Sequence, residues 1–145
     1  MLNRLSVVLL ACLALACGED RPMLKVTTNG TAFQRQSVPS TSVSPVAYVP
    51  YDSWNRGSAT AFLPTCGTRV TPVVEKLVNG QWESYASGFC MLSSLMVPLE
   101  LREGETHHDE VAIGEAGHYR IRVPYSSDAQ MRDHFQSLSG TFDVQ

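Results

Sequence analysis

The sequence predicts an all-β protein, an antiparallel β-sandwich of about seven to nine short strands. Two observations favour this fold class. Short runs of alternating apolar and polar residues recur along the chain, and turn-forming Gly, Pro and Asn residues stand between them. No run has the sustained 3.6-residue periodicity of an amphipathic helix. The length of 145 residues and the hydrophobic content of 43% suit one globular domain.

The strands are predicted in chain order from these runs. They cover residues 23–28, 46–54, 58–63, 73–78, 81–86, 98–101, 106–113, 118–125 and 138–144. The clearest turn is Asn79-Gly80, because this pair accepts the positive φ angles of a type I′ hairpin turn. A two-residue loop fixes the register, so Leu77 should face Trp82, and Lys76 should face Glu83 as a pair of opposite charges.

The strand at residues 118–125 carries a resemblance to a known family. Tyr119, Ile121, Val123 and Tyr125 alternate with polar residues, and Glu115 and Gly117 precede them. This pattern resembles the late strand of immunoglobulin-like domains. The resemblance implies an immunoglobulin-like sandwich with a tyrosine corner, in which the Tyr119 hydroxyl bonds to nearby backbone. Ile121 stands where antibody domains have their second Cys, so their inter-sheet disulfide is not expected.

Residues 1–16 have the pattern of a secretory signal peptide. Arg4 lies near the start, and the apolar run 5–16 follows it. This run is shorter than the roughly 20 apolar residues that a membrane-spanning helix needs. The alternative, a buried core helix, fits less well because the sequence turns polar abruptly at Gly18.

The stretch Leu13-Ala14-Leu15-Ala16-Cys17 resembles the lipobox of bacterial lipoproteins, although Ala14 replaces the usual Leu or Val. The resemblance implies cleavage before Cys17 and attachment of a diacylglycerol, with acyl chains such as palmitate, to its sulfur. The mature protein would then be anchored to a membrane without spanning it. Residues 17–22 would form a polar tether. Gly18 is not the Asp that marks inner-membrane retention in this family, which favours the outer membrane.

The remaining cysteines form one pair. Signal cleavage would remove Cys12 and lipidation would use Cys17, which leaves Cys66 and Cys90. An even remainder outside the cytoplasm predicts a disulfide. Closing this loop would stabilise the fold by roughly 3.5 kcal/mol in the chain-entropy model. A metal or redox pair is the alternative, but there is no CxxC motif and no neighbouring His.

His107, His108, Asp109 and Glu110 are the candidate site for chemistry. His and carboxylate side chains are ligands that metals prefer. Successive residues of a strand point to opposite faces, however, so only half of the cluster can converge. The sequence contains no known metal-ligand spacing, no G-x-S-x-G elbow and no phosphate-binding Gly loop. A metal site or a hydrolase that uses this cluster is therefore the alternative function, and a Ser-His-Asp arrangement built in space stays open.

Four further side chains are candidates for binding. Trp54 and Trp82 are expected in the core, since alternating aromatics usually pack there. Arg120 and Arg122 share the outer face of their strand and are expected to be solvated, with anion binding as the alternative.

The net charge of −3 provides no basic surface for nucleic acid. The sequence thus predicts a cell-envelope lipoprotein without a cofactor, a non-enzymatic binding or structural module in residues 23–145. Residues 36–45, rich in Ser, Thr and Pro, are expected to form a long loop or linker. A protein or glycan of the envelope is the expected partner, besides the membrane itself.

Overall fold

The computed structural model describes residues 20–28, 46–87 and 97–145, and every regular element within them is a β-strand. The predictions for residues 1–16, Cys17, residues 36–45 and Cys90 lie outside the described residues. Within the described ranges there is no helix long and apolar enough to cross a bilayer.

Twelve strands are present in the described ranges. In chain order they are β1 (Leu24–Thr28), β2 (Ala47–Asn55), β3 (Ala61–Leu63), β4 (Thr65–Cys66), β5 (Arg69–Val70), β6 (Val73–Val78), β7 (Gln81–Ser87), β8 (Leu99–Leu101), β9 (Thr106–Ile113), β10 (Gly117–Tyr125), β11 (Phe135–Leu138) and β12 (Phe142–Val144). The number exceeds the predicted seven to nine because short strands of two or three residues, such as β4 and β5, add to the total.

All strand pairs are antiparallel, and they form two main sheets. Sheet A has the order β1-β2-β9. Sheet B has the order β11-β10-β6-β7, and β12 also pairs with β10. Two small sheets, β3-β8 and β4-β5, complete the arrangement. The prediction of an all-β sandwich is confirmed.

One apolar core lies between the sheets. Inward and outward residues alternate along β2 and β10, as a strand with one buried face requires. Val49 and Tyr51 of β2 and Tyr119, Ile121 and Val123 of β10 are at most 1% exposed. The predicted inward face of residues 118–125 is therefore confirmed, and Ile121 fills the core as an aliphatic residue.

The tyrosine corner is also present. The Tyr119 hydroxyl donates a hydrogen bond to the Glu115 carbonyl oxygen at 3.0 Å. Gly117 precedes it because a Cβ there would press on the Tyr119 ring at 3.2 Å. The spacing of Glu115, Gly117 and Tyr119 thus forms the corner that the immunoglobulin-like resemblance implies.

The predicted hairpin forms between β6 and β7. Asn79 and Gly80 have φ angles of 50° and 82°, as a type I′ turn requires. Leu77 is opposite Trp82 and Lys76 is opposite Glu83, so the predicted register is confirmed. The Lys76 ammonium, however, forms its ion pair with Glu115, at 2.8 Å.

Further along, the register of β6 and β7 shifts. Val74 pairs with Ala86 and Glu75 pairs with Ser84, so β7 carries Tyr85 as an extra residue. The Tyr85 ring packs edge-on against Tyr119, with 5.3 Å between the ring centroids. The bulge therefore brings an aromatic of β7 to the core while Trp82 stays on the outer face.

Residues 20–22, where the described chain begins, pack on the domain. Residues 17–22 were expected to be a polar tether, but Pro22 is buried and the Ser58 hydroxyl donates to the Asp20 carboxylate at 2.8 Å. A Cβ at Gly57 would collide with the Arg21 carbonyl oxygen. Residues 20–22 thus pack on the domain. The predicted strand 58–63 is shortened to β3 because the chain bends around this contact.

Asn55 holds this end of the domain together. Its side chain is completely buried, and its Oδ1 accepts from the backbone N–H groups of Met23 at 3.3 Å and Gly57 at 3.0 Å. Its Nδ2 donates to the carbonyl oxygens of Ala59 at 2.8 Å and Leu101 at 2.9 Å. One side-chain amide therefore satisfies four backbone groups from three segments of chain.

Candidate functional site

The predicted histidine cluster lies in β9, and its members do not converge. The His108 Nδ1 lies 2.6 Å from the Asp52 Oδ1 on the outer face. His107 and Asp109 share the inner face, with 3.9 Å between Nε2 and Oδ2. His118 belongs to sheet B, where its Nδ1 is 2.7 Å from Asp143. Among the described residues, no three His, Cys, Asp or Glu side chains are grouped to hold a metal ion.

A cavity of about 360 Å³ lies beside β9, next to the β4-β5 hairpin. Arg69, Asp109 and Glu110 supply its charged lining, and Val70 and Val111 are among its apolar lining residues. The Arg69 Nη2 is 3.8 Å from the Glu110 Oε1. Arg69 and Glu110 therefore already form an ion pair with each other, and we assign no ligand to the cavity.

Polar groups are buried on the inner face of β2 and β9. Ser53 is opposite His107 and Tyr51 is opposite Asp109. The Tyr51 hydroxyl, the Ser53 hydroxyl and the His107 Nε2 are buried without a hydrogen-bond partner in the described part of the chain. Burial first, and the Asp109 carboxylate second, raise the pKa of Tyr51, against the opposing effect of Arg69. Tyr51 is therefore a neutral hydroxyl at physiological pH.

The outer face of sheet B carries a connected set of polar and aromatic side chains. The Arg120 guanidinium lies over the Trp82 ring, with 4.4 Å from Cζ to the ring centroid. The His118 ring centroid is 5.8 Å from that of Trp82. We call Glu75, Trp82, His118, Arg120 and Arg122 the Trp82 strip. It crosses three adjacent strands, β7, β6 and β10.

Glu75 is the centre of the strip. Its Oε2 accepts from the Arg120 Nε at 2.6 Å, and its Oε1 accepts from the Arg122 Nε at 2.9 Å. The register explains this contact, because Arg120 is directly opposite Glu75 and Arg122 lies two residues further along β10. Burial alone would raise the pKa of Glu75, but the hydrogen bonds from Arg120 and Arg122 outweigh it and lower this pKa.

The strip has a surplus of positive charge and fixed side chains. Two guanidinium groups share the one carboxylate of Glu75, so one positive charge is uncompensated within this trio. The Arg120 guanidinium contacts the Trp82 ring and forms an ion pair with the Glu75 carboxylate. Because Arg keeps several N–H donors beyond Nε, the strip can donate further hydrogen bonds to an anionic group.

Three expectations for these side chains were wrong. Trp54 is 40% exposed rather than buried in the core. Trp82 is half-buried on the outer face, because the hairpin register pairs it with the outward-facing Leu77. Arg120 and Arg122 are not simply solvated, since Glu75 accepts a hydrogen bond from each.

Glu75 itself was missed by the sequence argument. It lies in an apolar run with nothing local to distinguish it. Its partners are 45 and 47 residues further along the chain. Predicting the role of Glu75 would have required knowing that β6 pairs with β10, and no short motif encodes this pairing.

Of the four cysteines, only Cys66 lies among the residues that the structure describes. This residue ends β4, lines the cavity beside β9 and is disulfide-bonded. Cys90 and Cys17 lie outside the described residues, so the pairing with Cys90 and the lipidation of Cys17 stay predictions.

Comparison with known proteins gives no family for this chain. No family model matches it, and no curated protein matches its sequence. A Northeast Structural Genomics Consortium target of known X-ray structure is similar at 15% identity and a TM-score of 0.40, over 89% of each chain. A β-glucosidase involved in saponin metabolism from intestinal bacteria is similar at 13% identity and a TM-score of 0.40. That match covers 86% of this chain and 16% of the enzyme.

Proposed function

We propose that this protein is a cell-envelope lipoprotein, anchored through Cys17, that binds an envelope partner through the Trp82 strip and catalyses no reaction. The prearranged contact of Trp82, Arg120, Glu75 and Arg122 on an open sheet face is the observation that supports binding. The lipobox-like stretch before Cys17 supports the anchor. The outer membrane is the favoured location.

The composition and rigidity of the strip suit an interface. Trp and Arg are the residues most enriched among interface hot spots. Side chains that are already held by neighbours lose less entropy when a partner binds. Arg120 is held in this way between Trp82 and Glu75. The strip thus combines an aromatic surface with donors that need little reorganisation.

The charge of the strip indicates the chemistry of the partner. The uncompensated guanidinium charge favours a carboxylate, which Arg binds with two parallel hydrogen bonds. The Trp82 ring beside it offers apolar contact. A carboxylate next to an apolar surface, on an envelope protein or an acidic glycan, meets both requirements.

Site-specific crosslinking tests the binding face. Ser84 is exposed and pairs with Glu75, so its side chain lies on the same face as the Trp82 strip, and a photo-crosslinking amino acid placed there should capture the partner in the native envelope. Truncating a Trp hot spot costs about 2 kcal/mol or more, roughly a 30-fold loss of affinity. We expect the Trp82→Ala substitution to abolish the adduct.

The matched control is Trp54→Ala, which removes the other Trp, from sheet A. The adduct should persist in this variant. Adducts of equal yield in the parent, Trp82→Ala and Trp54→Ala proteins would contradict the proposed binding face.

The anchor and the disulfide are tested together by the intact mass of the protein isolated from its native membrane. We expect the mass of residues 17–145 plus a diacyl or triacyl modification, less two hydrogen atoms for a Cys66–Cys90 bond. After reduction the mass should rise by two hydrogen atoms. An unmodified full-length mass would overturn the anchor, and two free thiols in the untreated protein would overturn the disulfide.

A further inference from the structure

We infer that the outer face of sheet A, at the end where β1 begins, contacts the surface of the membrane that holds Cys17. The inference rests on the proposed anchor and adds an orientation to it. Its contact surface is the Trp54 patch, which we define as Met23, Lys25, Trp54 and Arg56. The occupant is a bilayer surface with anionic headgroups.

The short connection to Cys17 supports this orientation. Asp20 is fixed to the domain by the Ser58 hydroxyl, and Pro22 is buried. Cys17 precedes Asp20 by three residues, and an extended chain spans at most about 3.6 Å per residue. The Cα atoms of Cys17 and Asp20 are therefore within roughly 11 Å of each other. A lipid on Cys17 would hold this end of the sandwich against the bilayer.

The Trp54 patch lies at this same end. Lys25 is opposite Trp54 in the register of β1 and β2. The Arg56 N–H donates to the Met23 carbonyl oxygen at 2.8 Å, which continues the pairing beyond the strand ends. All four side chains are exposed and belong to the outward set, and Met23 is 61% exposed. The four residues thus form one contiguous surface.

The chemistry of the patch matches a lipid headgroup region. Trp is enriched at membrane interfaces, where its amphipathic ring lies at the level of the headgroups. The Arg56 guanidinium lies over the Trp54 ring, 5.2 Å from its centroid. Each Lys or Arg near an anionic surface is attracted by about 1 kcal/mol. Two basic residues in the patch therefore complement anionic lipids.

Two of the acidic residues at this end, Asp20 and Glu105, accept hydrogen bonds within the domain. The Asp20 carboxylate accepts from Ser58, and the Glu105 carboxylate accepts from the Arg102 backbone N–H at 2.7 Å. Glu103 is exposed on the turn after β8. None of these belongs to the patch, whose own charges are both positive.

The test uses the two tryptophans as reporters. The full lipidated protein is reconstituted into phosphatidylcholine–phosphatidylglycerol vesicles that contain doxyl-labelled lipid. Trp82→Phe leaves Trp54 as the single reporter, and Trp54→Phe leaves Trp82. We expect Trp54 emission to shift to the blue and to be quenched by the doxyl group. We expect Trp82 emission to change in neither respect, because the outer face of sheet B is the opposite face of the sandwich.

Flotation of the same vesicles separates the two possible failures. If the protein floats with the vesicles but Trp54 is quenched no more than Trp82, the orientation is wrong and the anchor stands. If the protein does not float, both the anchor and the orientation are wrong.

A reversal of charge, Lys25→Glu with Arg56→Glu, should reduce Trp54 quenching while flotation persists. Unchanged quenching would overturn the contribution of anionic headgroups.

Discussion

The Asn55→Asp variant should lose about 3–5 kcal/mol of folding free energy, a large fraction of the 5–15 kcal/mol typical of a domain. The Asn55 Nδ2 donates to the carbonyl oxygens of Ala59 and Leu101 in a fully buried position. An Asp oxygen in the place of Nδ2 would face these two carbonyl oxygens, which can only accept. The substitution would also bury a negative charge. Urea denaturation at neutral pH measures the loss as a lower transition midpoint.

The control is the same chemical change at Asn79. This residue is exposed and occupies a type I′ turn, where Asp-Gly is as acceptable as Asn-Gly. The Asn79→Asp variant should stay within about 0.5 kcal/mol of the parent. Equal midpoints for the two variants would show that the four hydrogen bonds of Asn55 do not hold the end of the domain together.

Asn55 also shows what the sequence could not reveal. It stands in an alternating run beside Gly57, where Asn-Arg-Gly reads as an ordinary loop between two strands. Its four partners come from Met23, Gly57, Ala59 and Leu101, and only the folded chain brings these together. Asn55 falls between the predicted strands 46–54 and 58–63, and in the structure it ends β2 as a buried residue that binds four backbone groups.

Local patterns were sufficient where a feature depends on neighbouring residues. Asn79-Gly80 fixed the hairpin register, and the alternation after Gly117 identified the core face of β10, while the resemblance to immunoglobulin-like domains implied the tyrosine corner. Trp54 and Trp82 were misplaced for the opposite reason. Trp54 is the last outward residue before Asn55 at the end of β2, and Trp82 pairs with the outward-facing Leu77. Alternation shows which residues share a face of a strand, but it does not show which face the fold buries.

The candidate binding site was the least predictable part. Arg120 and Arg122 were recognised as a pair on one outer face, but their shared carboxylate comes from a strand about 45 residues earlier. An ion network of this kind depends on which strands become neighbours, and sheet order is not encoded in any single segment.

The Glu75→Gln variant should lose about 2–3 kcal/mol of stability at neutral pH. The Glu75 side chain is 11% exposed, and those of Arg120 and Arg122 are 23% and 31% exposed, so water screens these contacts only in part. Removing the negative charge would leave two guanidinium groups side by side without their shared acceptor. Urea denaturation of the variant and the parent measures the difference.

The loss should depend on pH in a defined direction. The hydrogen bonds from Arg120 and Arg122 lower the pKa of Glu75 in the folded state below its ordinary value of 4.5. A group with a lowered folded-state pKa stabilises the fold above its unfolded pKa, and this contribution disappears as the pH falls through the folded-state pKa. The stability difference between parent and Glu75→Gln should therefore be constant near neutral pH and shrink below about pH 4.5.

The matched control is Glu83→Gln on the adjacent strand β7. Glu83 is exposed, and the Lys76 opposite it forms its ion pair with Glu115. This variant should differ from the parent by no more than about 0.5 kcal/mol at any pH. A Glu75→Gln effect as small as that of Glu83→Gln, or one that does not decline in acid, would mean that the two arginines do not depend on Glu75. The Trp82 strip would then lack the rigidity on which its proposed role in binding rests.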